Sequence, residues 1–374
     1  MELLQLMERW DGFHPVRPSQ INEAAVARVL DLISNKDRLS SWRHEYQLRE
    51  AITTSDFPAL FGFTLERDIL ARVQAATANW RLFTKVSTLP NFNVGEAHKV
   101  IGNDGLMTQV AEKAPYPQQT IANGHYHRRV YKWGSQFDIS WESVINDVLG
   151  AFSDITERFA NAVTYTRAYN VTSLYAMATG PHTSLFGAPV ADAADLANVT
   201  NLGALPLTIA NLTTTIGLMV AQQDALGKPL GIVPRFLVVP PALEITARAI
   251  LTSALQLANT TANVPLPAAN VLSQLGMQVV VDPLLPVIDT SGNGNGTWYL
   301  FADPGQVAAI QMDFLRGYEN PEIVMKASDK VTAGGAAMGP FAGDFDSDDI
   351  KYRVRDVHGG ARLDPRSCYA QVSA

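Results

Sequence analysis

Residues 94–130 form a polar stretch that limits, more than any other feature, how this chain can fold. The stretch contains four glycines and has no apolar residues at helical spacing. The turn signal at residues 103–105 (NDG) and the breaks at Pro115 and Pro117 favour a long β-hairpin. Two strands of about 18 residues would reach about 60 Å, farther than a domain-sized body can cover. We therefore expect the hairpin to lie on a neighbouring molecule.

Residues 1–57 form a second segment that does not predict a compact body. Short helical patterns occur at residues 3–10, 22–33 and 38–50, and turn-like pieces separate them. Helices this short are marginal in water on their own. We therefore interpret residues 1–57 as an N-terminal arm that must lie on its own body or on a neighbour.

The rest of the chain alternates patterns that predict helices with patterns that predict strands. The longest helical pattern covers residues 141–177. Its part after Gly150 alone would be about 40 Å long, since each helical residue adds about 1.5 Å. Residues 181–320 predict a separate mixed α/β body, and residues 321–374 return to strands. Together these patterns predict an α+β fold.

Apolar spacing and turn residues set the bounds of the predicted elements. The predicted helices cover residues 57–73, 141–177, 207–226 and 241–254. The predicted strands cover residues 80–89, 131–140, 231–239, 277–282, 298–301, 322–327 and 350–357. Residues 291–296 (SGNGNG) are predicted to be a hairpin loop between two of these strands. The triplet His358-Gly359-Gly360 is predicted to turn the last strand toward residues 361–372.

Length, charge and cysteine content exclude several classes of protein. A chain of 374 residues suggests two or three domains. The net charge of −7 argues against a dedicated nucleic-acid binder, whose affinity comes from neutralising phosphates. The single cysteine, Cys368, excludes an internal disulfide framework and a multi-cysteine metal site. Charged residues make up only 17% of the chain, against about 25% in typical domains, which indicates a surface largely covered by partners.

The sequence predicts neither a signal peptide nor a membrane span. The first ten residues, MELLQLMERW, lack a basic region followed by a long apolar run. A transmembrane helix needs about 18 or more consecutive apolar residues, and no stretch of this chain reaches that length. We therefore predict a soluble product in the cytoplasm.

Two motifs resemble binding loops but lack the context that such loops need. Gly292, Gly294 and Gly296 imitate a dinucleotide-binding loop, which requires a following helix, whereas a strand pattern follows here. Residues 344–349 (DFDSDD) begin like a calcium loop, but Asp349 and Arg355 stand where that loop needs glycine and glutamate. A flexible turn and a solvated acidic turn are the favoured interpretations.

The remaining candidate side chains also favour structural roles. His125 and His127 would share one face of a strand and could bind a metal, but no carboxylate lies beside them, which favours a polar hairpin edge. Cys368 has no neighbouring base in the sequence and is interpreted as a small apolar filler. We therefore predict no catalytic, cofactor-binding or metal-binding residues and no enzymatic activity.

Four short segments, taken in order, carry a resemblance to a known family. They are residues 54–58 (TSDFP), 137–142 (FDISWE), 234–244 (PRFLVVPPALE) and 352–363 (YRVRDVHGGARL). Together with the order of elements, they resemble the major capsid protein of tailed bacteriophages. That family has the Johnson fold, which encapsulins and the floor of herpesvirus capsids share.

The resemblance implies a division of the chain into named parts. Residues 1–57 would be the N-arm and residues 94–130 the E-loop. The P-domain would combine residues 58–93, 131–180 with the spine helix, and 321–374. The A-domain would be residues 181–320 and would meet its copies around five-fold and six-fold centres.

The resemblance also implies a structural function. Copies of the chain would assemble as hexamers and pentamers into an icosahedral shell that encloses double-stranded DNA without sequence-specific binding. Assembly would occur in the bacterial host cytoplasm, and the product would be part of the virion. Portal and scaffolding proteins, and decoration proteins, would be the other partners.

Two further features of the family concern this chain. Some members join subunits by a Lys–Asn isopeptide bond, for which Lys99 and Lys113 would be the candidates here, although no asparagine partner aligns; lysines on an exposed hairpin ordinarily prevent edge pairing. Some members also carry a scaffolding segment that is cleaved off. The short helical leader after Met1 favours a separate scaffold or none.

Three other interpretations stay open at this point. An encapsulin-type compartment would have the same fold and enclose an enzyme. A cytoplasmic enzyme would use residues 181–320 with His182, or the acidic residues 344–349. Another phage structural part, such as a tail tube or decoration protein, fits the size and the long helix less well.

Overall fold

The computed structural model describes most of the chain beyond the N-terminal region. The described residues are 70–74, 78–101, 109–110, 112–113, 116, 122–140, 150–187, 201–223, 228–253, 255–259, 265–335, 338 and 342–373. The predicted arm at residues 1–57 and the turn at residues 103–105 lie outside them, as do residues 57–69 and 141–149 of the predicted helices.

The observed elements confirm an α+β fold. The strands are β1 (Lys85–Leu89), β2 (Gly95–Ile101), β3 (Ala122–Arg128), β4 (Tyr131–Ile139), β5 (Ala176–Met177), β6 (Gly180–Pro181), β7 (Leu202–Gly203), β8 (Pro234–Val239), β9 (Leu255–Asn259), β10 (Pro265–Ala269), β11 (Gln278–Val281), β12 (Trp298–Ala302), β13 (Ile310–Leu315), β14 (Glu322–Met325), β15 (Ile350–Arg362) and β16 (Cys368–Gln371). The α-helices are α1 (Gly150–Tyr175), α2 (Ile209–Val220), α3 (Glu244–Thr252) and α4 (Leu285–Ile288). Single 3-10 turns cover Asn79–Leu82, Pro241–Leu243, Val271–Gln274 and Pro365–Ser367.

The chain divides into two compact units. The first contains Met1–Ala75, Gly134–Ala162 and Asn320–Asp356. The second contains Ala76–Trp133, Val163–Glu319 and Val357–Ala374.

A five-stranded sheet with the order β11-β8-β12-β16-β7 forms the centre of the second unit. Apolar residues cover both of its faces, because alternate residues of β8, β11, β12 and β16 pack into two different apolar clusters. In β8, Phe236 and Val238 pack on one side, whereas Leu237 and Val239 pack on the other. The four consecutive apolar residues of β8, at positions 236–239, follow from this burial on both faces.

Helices cover the two faces of this sheet. The end of α1 contributes Val171, Leu174 and Tyr175 to one apolar cluster. Helices α2 and α3 contribute buried residues, among them Leu212 and Ile250, to the other. Helix α2 begins at the N-cap Thr208, whose hydroxyl accepts a hydrogen bond from the Asn211 backbone N–H.

Three predicted elements agree closely with the structure. Helix α1 covers Gly150–Tyr175 in the described part of the chain, and these 26 residues give a length of about 39 Å. Strand β4 matches the strand predicted at 131–140. The helix predicted to start at Pro241 is present as the 3-10 turn Pro241–Leu243 followed by α3, with proline in the first turn, where its missing N–H costs nothing.

The predicted hairpin loop at residues 291–296 is wrong in one respect. The strands on either side of it, β11 and β12, are not neighbours, because β8 lies between them, parallel to β11 and antiparallel to β12. Residues 291–296 do form turns, with Gly292 at a left-handed φ of 92°. They belong to a connection that crosses over β8 and includes α4.

The turn predicted at His358-Gly359-Gly360 is also wrong. Strand β15 continues without interruption through these residues, and His358 to Arg362 pair antiparallel with Phe314 to Ile310 of β13. A Cβ atom on Gly359 would lie 1.9 Å from the backbone oxygen of Arg129. The glycine therefore permits two backbones to approach closely. Glycine serves this purpose inside strands as well as forming turns, so the sequence pattern does not distinguish the two.

Several bounds and elements also differ from the prediction. Residues 79–82 form a 3-10 turn, so the strand predicted from residue 80 begins only at Lys85. Helix α2 ends at Val220, short of the predicted residue 226. The patterns assign no strand to β13 or to the β9–β10 pair.

The first unit contains its own strand pairing. Strand β14 pairs antiparallel with residues 352–355 of β15, from Glu322 opposite Arg355 to Met325 opposite Tyr352. The Arg355 guanidinium binds the Glu322 carboxylate across this pair. Phe137 of β4 packs edge-to-face on Phe159 of α1, with ring centroids 6.4 Å apart.

Candidate functional site

The β2–β3 hairpin is confirmed over the part of residues 94–130 that the structure describes. The two strands pair antiparallel over seven residues each, from Gly95 opposite Arg128 to Ile101 opposite Ala122. At about 3.4 Å per residue this ladder is about 24 Å long. Among the described residues, β2 and β3 pair with no other strand. Since an isolated two-stranded hairpin is marginally stable in water, contacts beyond its own ladder are needed to hold it.

A largely buried ion pair attaches the base of this hairpin to β13 of the same unit. Arg128, the last residue of β3, donates a hydrogen bond from Nη1 to Oδ1 of Asp313 at 3.2 Å. Asp313 lies on β13 with a fully buried side chain, and its Oδ1 also accepts a 2.6 Å hydrogen bond from Gln311. Burial raises the pKa of Asp313, against the lowering effect of Gln311 and Arg128. Asp313 Oδ2 and Arg128 Nε have no hydrogen-bond partner among the described residues.

A buried histidine lies close to this ion pair on β15. His358 is opposite Phe314 in the ladder, and its Nε2 lies 2.8 Å from Nδ2 of Asn170 on α1. Trp133 stacks on the imidazole at 5.5 Å and donates from Nε1 to the His358 backbone oxygen at 3.1 Å. These contacts hold the start of β4, the strand that follows the hairpin's base, against β15.

These attachment residues were missed by sequence reasoning. Gln311 and Asp313 alternate with apolar residues in β13, a pattern typical of a half-exposed strand, yet every residue of β13 is buried. The glycine pair after His358 was the sequence feature that could have located this attachment. Adjacent glycines inside an alternating strand indicate that another backbone approaches closely.

The acidic turn predicted at residues 344–349 is confirmed as a loop whose side chains bond within it and to two lysines outside it. Asp344 Oδ1 accepts hydrogen bonds from the Ser347 backbone and hydroxyl, at 3.1 and 2.9 Å, and from the Asp349 backbone at 3.2 Å. Asp344 Oδ2 accepts from Lys351 Nζ at 2.6 Å. Lys351 and Ser347 hold the pKa of Asp344 well below its usual range. Asp344, which would be the first ligand of a calcium loop, is thus already hydrogen-bonded through both of its carboxylate oxygens.

The histidine candidates do not assemble a chemical site with the residues described here. His125 and His127 are exposed on β3 with ring centroids 6.0 Å apart. His182 accepts a 3.1 Å hydrogen bond at Nδ1 from the Ser184 backbone, and burial with Arg362 nearby lowers its pKa. Among the described residues, no group of three or more His, Cys, Asp or Glu side chains could hold a metal ion.

The lysine candidates lie on the hairpin segment. Lys99 is on β2 opposite Gly124. Lys113 is exposed and has a left-handed φ of 62°. Prevention of edge pairing is still the favoured role for these lysines, and a crosslink is the alternative.

Cys368 is buried in the apolar cluster on one face of the central sheet, as predicted for a filler. Its thiol donates a 3.4 Å hydrogen bond to the Pro365 backbone oxygen, and burial raises the pKa of the thiol. We expect no reaction of Cys368 with a thiol reagent in the folded chain at pH 8 and rapid reaction after unfolding, measured with Ellman's reagent. Reaction of the folded chain at the rate of a free thiol would contradict this burial.

No helix in the described part of the chain combines the length and apolarity that a membrane crossing requires. Strand β4 carries three exposed aromatic side chains. They belong to Tyr131, Trp133 and Phe137, whose odd-numbered positions share one face of the strand. Arg129 lies over the Tyr131 ring at 5.3 Å.

Comparison with protein families gives one match that covers most of the chain. The model of a family described as phage capsid protein matches residues 128–371. No curated protein matches the sequence.

Comparison with solved structures gives remote likenesses. The capsid structure of cyanophage P-SCSP1u is 13% identical, with a TM-score of 0.48, covering 79% of this chain and 88% of that one. A chain of Gordonia phage Cozz is 14% identical, with a TM-score of 0.45, covering 78% and 85%. A SrpI encapsulin from Synechococcus elongatus is 11% identical, with a TM-score of 0.45, covering 80% and 88%.

Proposed function

Because the chain belongs to the phage capsid protein family, we propose that its copies assemble as hexamers and pentamers into an icosahedral shell around double-stranded DNA. The observation that carries this proposal is the family match, which extends over residues 128–371. The activity is mechanical. Subunits bind one another, and no bond is made or broken for the shell to form.

The two-stranded hairpin supports the part of the proposal that concerns contacts between subunits. Strands β2 and β3 pair only with each other among the described residues, and their base is held by Arg128 and Asp313. A hairpin that is anchored at its base and unpaired along its edges is suited to lie on an adjacent subunit. In this proposal, residues 94–130 are the E-loop and residues 1–57 the N-arm.

The remaining division of the chain follows the same proposal. The P-domain combines residues 58–93, 131–180 and 321–374, and the A-domain is residues 181–320. Four strands of the apolar sheet, β7, β8, β11 and β12, belong to the A-domain, and β16 joins that sheet from residues 321–374.

The charge of the chain supports enclosure of DNA without tight binding. With a net charge of −7, the shell wall has no excess of cations to neutralise phosphates. Portal, scaffolding and decoration proteins are the further partners in this proposal, and assembly takes place in the cytoplasm of the bacterial host.

The proposal is tested by expressing the full chain alone and with the genes that neighbour its own. We expect rings or closed shells, which sediment far faster than the 40.6 kDa monomer and are visible by negative-stain electron microscopy. A uniform monomer or dimer under both conditions would contradict the proposal. Shells that enclose a protein cargo in place of DNA would favour an encapsulin-type compartment.

A further inference from the structure

Three of the seven histidines in this sequence belong to the short β2–β3 ladder. They are His98 on β2 and His125 and His127 on β3. Neutral imidazole is the commonest metal ligand in proteins, and three imidazoles with one further ligand are a known set for zinc. The register of the ladder decides whether these three residues can act together.

The register places a histidine pair next to a glutamate–histidine pair. His98 is opposite His125, and Glu96 is opposite His127. The two pairs are two residues apart along each strand, so all four residues belong to one face of the hairpin. Glu96 is distant from His127 in the sequence, and only the strand pairing brings a carboxylate beside the histidines of β3.

The spacing of these four positions suits one metal ion. Directly opposite residues of an antiparallel pair have Cβ atoms about 5 Å apart, and alternate residues of one strand are about 7 Å apart. The centre of a rectangle of this size is about 4 Å from each Cβ atom. An imidazole with a zinc–nitrogen bond of about 2.1 Å spans that distance when the ion lies above the face.

The two side chains on β3 lie close to the arrangement that zinc requires. The rings of His125 and His127 are exposed, and their centroids are 6.0 Å apart. Two imidazoles on one tetrahedral zinc ion, with bonds of about 2.1 Å, have centroids about 5 Å apart. Two imidazoles are fewer than a zinc site needs, and the described side chains do not complete the site by themselves. The register adds the third histidine at position 98.

The positive charges next to these histidines do not oppose a cation on this face. Lys99 and Arg128 each directly follow a histidine, so strand alternation assigns their positions to the opposite face. The Arg128 guanidinium belongs to the ion pair at the hairpin's base. Arg129, beyond the end of β3, lies over the Tyr131 ring at 5.3 Å. The charged residue that shares the histidine face within the ladder is Glu96, which attracts a divalent cation.

We propose that the β2–β3 hairpin binds one zinc ion through His98, His125 and His127, with the Glu96 carboxylate at the fourth position. The site does not depend on assembly and goes beyond the proposed function. An isolated two-stranded ladder is marginally stable in water. An ion bound from both strands stabilises the paired hairpin, because the unpaired chain does not present the four ligands together.

The test titrates zinc chloride into dissociated full-length subunits that carry no histidine tag and have been freed of metal with a chelator. Isothermal titration calorimetry is expected to show one ion bound per chain at this site. His98→Ala, His125→Ala and His127→Ala are each expected to weaken zinc binding at least about tenfold, because each removes a ligand. Glu96→Gln, which keeps the size of the side chain, is expected to weaken binding at least about threefold.

Two matched controls separate the site from histidine content alone. His182→Ala removes a histidine outside the hairpin and should leave zinc affinity unchanged. The double variant His98→Ala with Lys99→His keeps the number of histidines but moves one to the opposite face, so its affinity should stay as low as that of His98→Ala. Urea unfolding without zinc, which should not differ among these variants, shows that each is folded.

Hydrogen exchange locates the bound ion. With zinc, the backbone amides of residues 95–101 and 122–128 are expected to exchange at least about tenfold more slowly in the unmodified chain, and not in the His98→Ala variant. Failure of the unmodified chain to bind zinc would overturn the inference, and so would equal affinity of the three single histidine variants and the unmodified chain. Recovery of affinity by Lys99→His, or binding without slower exchange in the hairpin, would overturn it as well. Because dissociated subunits are used, failure of the proposed shell assembly is a separate result.

Discussion

Replacement of Gly359 by alanine is expected to destabilise the folded subunit by about 3 kcal/mol, at the upper end of the cost of overpacking a core. The added Cβ would lie 1.9 Å from the Arg129 backbone oxygen and 2.9 Å from the Val130 Cα. Both are main-chain atoms, so the clash is relieved only if the start of β4 moves away from β15. That movement would also disturb the contact between Trp133 and His358.

Two other glycine-to-alanine replacements give a scale for this destabilisation. At Gly360 the new Cβ would meet the Leu174 side chain at 2.6 Å, and because a leucine tip can rotate we expect Gly360→Ala to cost about 1 kcal/mol. Gly217 lies inside α2 with no atom within 4 Å of an added Cβ, so Gly217→Ala should stabilise the subunit by about 0.5–1 kcal/mol.

Urea unfolding of dissociated full-length subunits measures all three variants in one assay. Equal stability of the Gly359→Ala and Gly217→Ala variants would contradict the close approach of residues 129 and 359. A destabilised Gly359→Ala subunit should also assemble poorly, since the strand that it displaces continues from the hairpin's base.

The sequence was sufficient wherever burial and periodicity agree. Strand β8 is apolar on both faces because both faces are buried, and its unbroken run of apolar residues predicted a buried strand. The part of α1 after Gly150 was predictable because its apolar spacing persists over 26 residues. These two elements could be predicted because their apolar patterns contain no residue that also indicates another structure.

The sequence was insufficient wherever one residue type serves two structural purposes. Gly359 and Gly360 permit close packing inside a strand, but adjacent glycines are also the strongest turn signal. Pro265 and Pro267 protect the outer edge of β10, but proline also indicates a break. Gln311 and Asp313 are polar residues of a buried strand, and only the position of Arg128 explains them. Each of these cases depends on a neighbour that is distant in the sequence.

Replacement of Arg128 by glutamine is the second change with a large expected effect. Among the described residues, it leaves the fully buried Asp313 carboxylate with Gln311 as its only side-chain hydrogen-bond donor. Removing one partner of a buried ion pair typically costs about 3–5 kcal/mol. Asp313→Asn in the same chain removes the uncompensated charge, so the double variant should recover most of the lost stability. Urea unfolding at neutral pH measures both. Equal stability of the single and double variants would contradict a charge-based cost.

The pH dependence separates the charge from the loss of packing. Burial raises the pKa of Asp313 in the folded chain above its unfolded value of about 3.9, so its ionisation disfavours folding at higher pH. The deficit of Arg128→Gln should therefore be largest at neutral pH and shrink as the pH falls through the raised pKa. Arg248→Gln is the control, because Arg248 pairs with Glu244 at 2.8 Å on an exposed face of α3 and should cost below about 0.5 kcal/mol. A deficit of Arg128→Gln that stays constant with pH would show that packing, and not the Asp313 charge, holds the hairpin's base.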